Sequence, residues 1–149
     1  MSSRVVTSVD QMRQIGETLG THLRAGDIIV LHGGLGAGKT AFTQGIGRSL
    51  GFFDVTSPTF VISRIHEGAL PLIHVDAYRL LGAGQNFEFD DIDLDTVRER
   101  AVTVIEWGGD VALRLREDFL RVSIEFGKTD DERILTTTAV GQRWQGFHL

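Results

Sequence analysis

The 149-residue chain contains no cysteine, so disulfides and thiolate metal sites are excluded and a reducing cytosol suits it. It has two prolines, and no Pro- or Ser-rich linker, internal repeat or low-complexity segment divides it. No apolar run approaches the roughly 20 residues that cross a bilayer. The opening MSSRVVTSVD has no apolar block of the kind that begins a signal peptide. The expectation is a cytoplasmic protein with no membrane partner. Lysine is scarce too, occurring only at Lys39 and Lys128, and the arginines are scattered among acids, as in RLREDFLR. With a formal net charge of −5, the chain lacks the broad cationic footprint of a strong, direct nucleic-acid binder. What is present is a hydrophobic content of 42%, enough at this length for one globular domain, residues 1–149, with a sizeable core.

The stretch TSVDQMRQIGETLGTHLRAG, from Thr7 to Gly26, reads as a helix. Ser8 and Gln11 have capping-box spacing, Val9, Met12, Ile15, Leu19 and Leu23 form an apolar stripe, and Gly26 is a C-terminal stop. Ile28 to Leu31 is a continuous apolar run, expected of a strand buried on both faces. Lys39 to about Leu50 reads as a second helix with Phe42, Ile46 and Leu50 on one face, ended by Gly51. TFVISRIH and LPLIHVDAY read as a hairpin turning at EGA, AVTVIEW as another buried strand, and FLRVSIEF with RILTTTAV as a closing antiparallel pair. Gly82 to Gln85 reads as loop, FEFDDIDLDTVRER as loop plus helix, and GGDVALRLR as a short helix or loop. The fold class is therefore α/β: a P-loop NTPase-like domain with a central, mostly parallel mixed sheet flanked by helices.

Between the first buried strand and the second helix stands GGLGAGKT, Gly33 to Thr40, a full match to G-x-x-x-x-G-K-[ST]. This chain's own composition makes a chance match about four in a thousand, and the strand–loop–helix context is the one the chemistry needs. Glycines at Gly33, Gly36 and Gly38, with Ala37 between, let successive backbone N–H groups turn toward an anion. The helix N-terminus adds partial positive charge. Lys39 reaches β- and γ-phosphates, and the Thr40 hydroxyl is a Mg²⁺ ligand. The expected cofactors are ATP or ADP with Mg²⁺. A guanine-reading N-K-x-D is absent, since the other lysine lies in GKTD.

A metal-ordering carboxylate belongs at the end of a second apolar strand, where Asp76 in LIHVDAYR is best placed. Glu106, after AVTVI, also lies at the carboxyl end of a strand, where α/β sheets bind ligands. It is a candidate to orient the attacking water or to hold a Mg²⁺-bound water. Thr59, within TSPTF, is a candidate switch residue that senses γ-phosphate and metal. Trp107 adjoins Glu106, and His74 reads as a packed histidine without a partner. There is no paired His/Cys metal spacing and no Ser-His-Asp signature. Two other readings stay open on the motif alone. One is a small-molecule kinase, which should carry an arginine-rich lid for which only Arg98 and Arg100 are placed. The other is a nucleotide-binding switch that does not turn over.

GGLGAGKT, SPTF, HVDAYRL and IEWG, in this order and spacing, resemble the bacterial TsaE (YjeE-like) ATPases. The most specific element is H-x-D-x-Y-R, matched by His74, Asp76, Tyr78 and Arg79. The resemblance implies a small P-loop α/β domain. Its function would be ATP hydrolysis coupled to partner proteins TsaB and TsaD, in adding threonylcarbamoyl to adenosine-37 of tRNA. It also implies that Lys39 and Thr40 bind phosphate and Mg²⁺, that Asp76 supports the metal, and that Glu106 and Trp107 line the active site. Two positions depart from the family pattern: Gly34, usually acidic, and Gly108, often proline.

Overall fold

A computed structural model describes residues 1–34, 36–56, 63–76, 99–106 and 118–149. In chain order the elements are β1 (Ser2–Val6), α1 (Val9–Gly20), β2 (Ile28–Gly33), α2 (Lys39–Ser49), β3 (Ser63–His66), β4 (Leu72–Asp76), β5 (Val102–Glu106), β6 (Phe119–Phe126) and β7 (Arg133–Val140). The strands form one sheet in the order β1-β7-β6-β2-β5-β4-β3. The run β6-β2-β5-β4 is parallel, and β3, β7 and β1 join it antiparallel. This is the mostly parallel mixed sheet expected, with the glycine-loop strand β2 at its centre.

The elements follow their residues. β2 is apolar on both faces because both are covered: Ile28, Ile29, Val30 and Leu31 are all fully buried. Ile29 and Leu31 belong to the cluster that contains Met12, Ile15 and Leu19 of α1 and Phe42 and Ile46 of α2. Val102 and Val104 of β5 and Leu120, Val122 and Ile124 of β6 extend the same core. α1 starts where Ser8 caps it, its hydroxyl accepting from the Gln11 N–H at 3.0 Å. The Gln11 side chain reaches back one residue further than a capping box requires, accepting from the Thr7 N–H at 2.7 Å.

Three expectations are corrected. The first helix is shorter than read: it ends at Gly20, and residues 21–26 are turns closed by Thr21 and His22 N–H groups on the last helical carbonyls. Gly26 has φ 90 but donates to the Ala101 carbonyl at 2.8 Å, so it serves the entry to β2 and not the helix end. Val9 belongs to no buried stripe and is exposed. β1 is an additional edge strand paired with β7, Ser2 opposite Thr137. The hairpin of β3 and β4, the helix ending before Gly51, the strand 102–106 and the pairing of β6 with β7 are as expected. The readings on 82–85, 87–98 and 108–116 lie outside the described residues.

The C-terminal turn also builds core. Trp144 is fully buried, and Phe147 meets it edge-on at 5.0 Å. Arg143 covers the indole face at 4.2 Å and places two N–H groups on the buried Asp27 carboxylate, each at 3.0 Å. That pair anchors the chain end to the turn that launches β2.

α1 and α2 touch through their backbones. A methyl on Gly45 would lie 2.0 Å from the Arg13 carbonyl oxygen, and one on Gly16 would lie 2.2 Å from that of Phe42. In an open helix, Gly→Ala gains up to about 1 kcal/mol. Here the helices must separate, so Gly45→Ala is expected to reverse the sign and cost about 1–3 kcal/mol. Urea unfolding of the two proteins measures it, and a stabilised variant would contradict the contact.

Candidate functional site

The glycine loop springs from the carboxyl end of β2, where the buried run gives way to the half-buried His32 and Gly33. Gly36 and Gly38 have φ of +79 and +120, backbone that a residue with a Cβ rarely adopts. The Ala37 N–H closes the turn on the Gly34 carbonyl at 3.1 Å, and Ala37 itself is buried. Gly38 is the N-cap of α2, and no side chain caps this helix and no acid occupies its first turn. Its N-terminal donors are therefore left without a side-chain cap, which suits an anion. Lys39 begins the helix and folds its ammonium back onto the Gly33 carbonyl at 2.8 Å. Thr40 follows, half-buried.

Three strand ends meet beside it. Glu106 on β5 is in register with Leu31 on β2 and with Asp76 on β4. Both carboxylates therefore project from one row at the carboxyl edge of the parallel sheet, Glu106 buried and Asp76 half-buried. Both are felt by Lys39. Burial holds its ammonium below the ordinary lysine range, and Glu106 first, then Asp76, pull it back up. The site thus places one cation, a helix N-terminus and two carboxylates within electrostatic reach of one another.

His74 is not the unpartnered packed residue expected from sequence. It is fully buried, and its Nε2 lies 3.1 Å from the Glu106 carboxylate. An ionised carboxylate only accepts, so in that state the donor of this bond is the ring's Nε2–H. One Glu106 oxygen is fixed on this ring. Residues 74 and 76 share a face because strand side chains alternate, so His74 and Asp76 flank Glu106 from the neighbouring strand. The H-x-D spacing carried that signal, but its partner lies 32 positions away. A second residue escaped the sequence reading: the Arg133 side chain, from β7, donates to the Ala37 carbonyl at 3.1 Å.

The structure therefore brings together Gly33, Gly36, Ala37, Gly38, Lys39, Thr40, Asp76 and Glu106. Thr59, Trp107, Gly108, Tyr78 and Arg79 lie outside the described residues. Gly34, the departure in the loop, is exposed, and a Cβ there would meet the Phe126 ring at 3.4 Å, an ordinary contact. A side chain at that position would fit, so glycine is not demanded by space.

Residues 6–135 match the family model described as "Threonylcarbamoyl adenosine biosynthesis protein TsaE". The chain is 49% identical over 140 residues to the tRNA threonylcarbamoyladenosine biosynthesis protein TsaE of Streptomyces coelicolor, covering 89% of this chain and 93% of that one. It is 36% identical over 139 residues to the protein of the same name from Bacillus subtilis, covering 91% and 84%. The crystal structure of Bacillus subtilis YdiB matches with a TM-score of 0.76 at 30% identity, covering 97% of this chain and 88% of that one.

His74→Leu would leave the buried Glu106 carboxylate without its imidazole partner. Breaking a buried pair typically costs 3–5 kcal/mol; with Lys39 still in reach, about 2–3 kcal/mol is expected. The double variant His74→Leu/Glu106→Leu removes the stranded charge and should recover part of that loss. A double-mutant cycle by chemical denaturation measures both, and a double variant no more stable than His74→Leu would refute the pairing.

Proposed function

The chain belongs to the TsaE family of tRNA threonylcarbamoyladenosine biosynthesis, and we propose on that premise that it binds and hydrolyses ATP within this machinery, acting through the partner proteins TsaD and TsaB. tRNA is reached indirectly through that complex. The observation that carries the reading is the row formed by Asp76 and Glu106 beside Lys39 and the glycine loop.

The residues fit a nucleotide with Mg²⁺. The loop's two positive-φ glycines and the uncapped α2 form a cradle of backbone donors. Thr40, Asp76 and Glu106 offer hard oxygen ligands, the kind Mg²⁺ takes. Among the described residues no group of three or more His, Asp or Glu side chains is arranged to hold a metal by itself. That suits an ion that arrives with phosphate oxygens and keeps water ligands. When bound, Mg²⁺ would supply charge neutralisation to the phosphate oxygens.

The chain's own groups then divide the work. The Gly38 and Lys39 peptides and the start of α2 grip the phosphate oxygens. Lys39 exchanges its Gly33 contact for the β- and γ-phosphates, and its proton is better held there because the phosphates offset the burial that depresses it. Thr40 and Asp76 would be the residues that hold the ion. Glu106, oriented by His74, directs a water toward the γ-phosphorus through its second oxygen. Thr59 and Trp107 are the further candidates of the same site, for switching and for lining the nucleotide. The net charge of −5 favours work on a basic partner over direct grip on RNA.

Lys39→Ala is expected to cost about 2–4 kcal/mol of ATP affinity, roughly 30- to 1,000-fold, by removing a charge-assisted contact. Asp76→Ala should lower turnover far more than affinity, because the backbone cradle survives. Calorimetric titration beside phosphate release separates the two; unchanged turnover in Asp76→Ala would move the metal role to Glu106.

The defining experiment measures phosphate release by the protein alone and with TsaB plus TsaD. Slow hydrolysis alone and faster hydrolysis with the pair is expected. ATP and the partners should raise each other's affinity by one factor. No effect on either quantity would sink the coupled-ATPase reading. Phosphate transferred to a small-molecule acceptor would favour the kinase reading, and ATP bound without release would favour the switch.

A further inference from the structure

Arg133 stands at the start of β7, 96 positions from Ala37, yet its side chain lies against the glycine loop. All three guanidinium nitrogens donate to backbone carbonyls. Nε donates to Ala37 O at 3.1 Å and one terminal nitrogen to Gly36 O at 3.4 Å. The other terminal nitrogen donates to Asp130 O at 2.6 Å and to Glu132 O at 2.8 Å. The guanidinium also lies over the Phe126 ring, 4.6 Å from its centroid. One side chain thus ties the turn between β6 and β7 to the loop between β2 and α2.

The contact falls where the loop is softest. Ala37 sits between Gly36 and Gly38, both at positive φ, and glycine has the most backbone freedom to lose on ordering. A peptide plane carries its C=O and N–H in opposite directions. Holding the Gly36 carbonyl outward keeps the Ala37 N–H on the Gly34 carbonyl, as observed at 3.1 Å. Holding the Ala37 carbonyl outward turns the Gly38 N–H to the opposite side. A cation on these carbonyls also polarises the peptides and sharpens their N–H donors. Lysine, a point charge, has no fork to span two carbonyls and the turn together.

We propose that Arg133 is a positioning residue for phosphate binding: it presets the loop by fixing the outward faces of the Gly36 and Ala37 peptides. The inference rests on the reading of this loop as a phosphate cradle. It assigns Arg133 no contact with the nucleotide.

The test titrates Mg·ATP and inorganic tripolyphosphate into the wild type, Arg133→Gln and Arg133→Lys. Amide exchange of Gly38 and Lys39 is followed by NMR in the ligand-free proteins. If the competent loop falls to a tenth of the population, both ligands weaken by the same factor, about tenfold, in Arg133→Gln. Gly38 exchange should quicken, and Arg133→Lys should recover part of both effects. Equal affinities in all three proteins would overturn the proposal. So would ATP weakened with tripolyphosphate unchanged, since Arg133 would then serve the base. If Arg133→Gln does not fold, Arg133→Lys carries the test, with weakening of about threefold expected and wild-type affinity and exchange overturning it. A wild type that binds neither ligand would overturn the nucleotide reading along with this one.

Discussion

The register of three parallel strands is the constraint on which the site depends. Leu31, Glu106 and Asp76 occupy one row across β2, β5 and β4. Side chains alternate, so a slip of one residue in β5 would turn Glu106 away from His74 and Asp76 and put Ile105 in its place. The apolar residues on both faces of these strands discriminate weakly against such a slip. The polar positions discriminate strongly. A carboxylate as buried as Glu106 is tolerable only where a donor meets it, and His74 meets it in this register alone. The same pair that orients a functional oxygen therefore also helps to fix the sheet.

Glycine does two jobs in this chain. In the loop it supplies backbone geometry at Gly36 and Gly38. In the helices it supplies closeness, because Gly16, Gly20 and Gly45 remove the side chains that would hold α1 and α2 apart. The second use determines the first. α2 is set against α1 by direct backbone contact, and its first residue is Lys39. The depth at which the two helices interlock fixes where that N-terminus stands over β2.

The parts of this arrangement legible in the sequence are those written in contiguous residues. The apolar runs of β2 and β5, the Phe42–Ile46 stripe, the glycine loop and the strand-end acids all carry local patterns. The mistakes lie where local pattern is neutral. SSRVV is a poor strand by itself and is one only because β7 offers an edge. Residues 21–26 continue a helical stripe through Leu23, but helix geometry stops at Gly20, where Thr21 bonds the preceding carbonyls. His74 with Glu106, and Arg133 with Ala37, are joined across 32 and 96 positions, and no spacing rule reports such pairs. Trp144 looks like a tail residue, and it becomes core through Arg143 and the distant Asp27.

The place of β1 has a consequence for synthesis on the ribosome. Its hydrogen-bonding partner is β7, and the Ser2 and Thr137 hydroxyls that meet between them are 135 positions apart. β2 likewise waits for β5 and β6 on its two sides. At about 5–20 residues per second, the first strand spends on the order of ten seconds outside the ribosome before its neighbour exists. During that interval the Ile28–Leu31 run can meet α1 and α2, but until β5 and β6 are made it has no strand beside it. The strands β2, β5, β4 and β3 can pair as soon as residue 106 is made, so the half of the sheet that carries β1, β7 and β6 is the last to be completed.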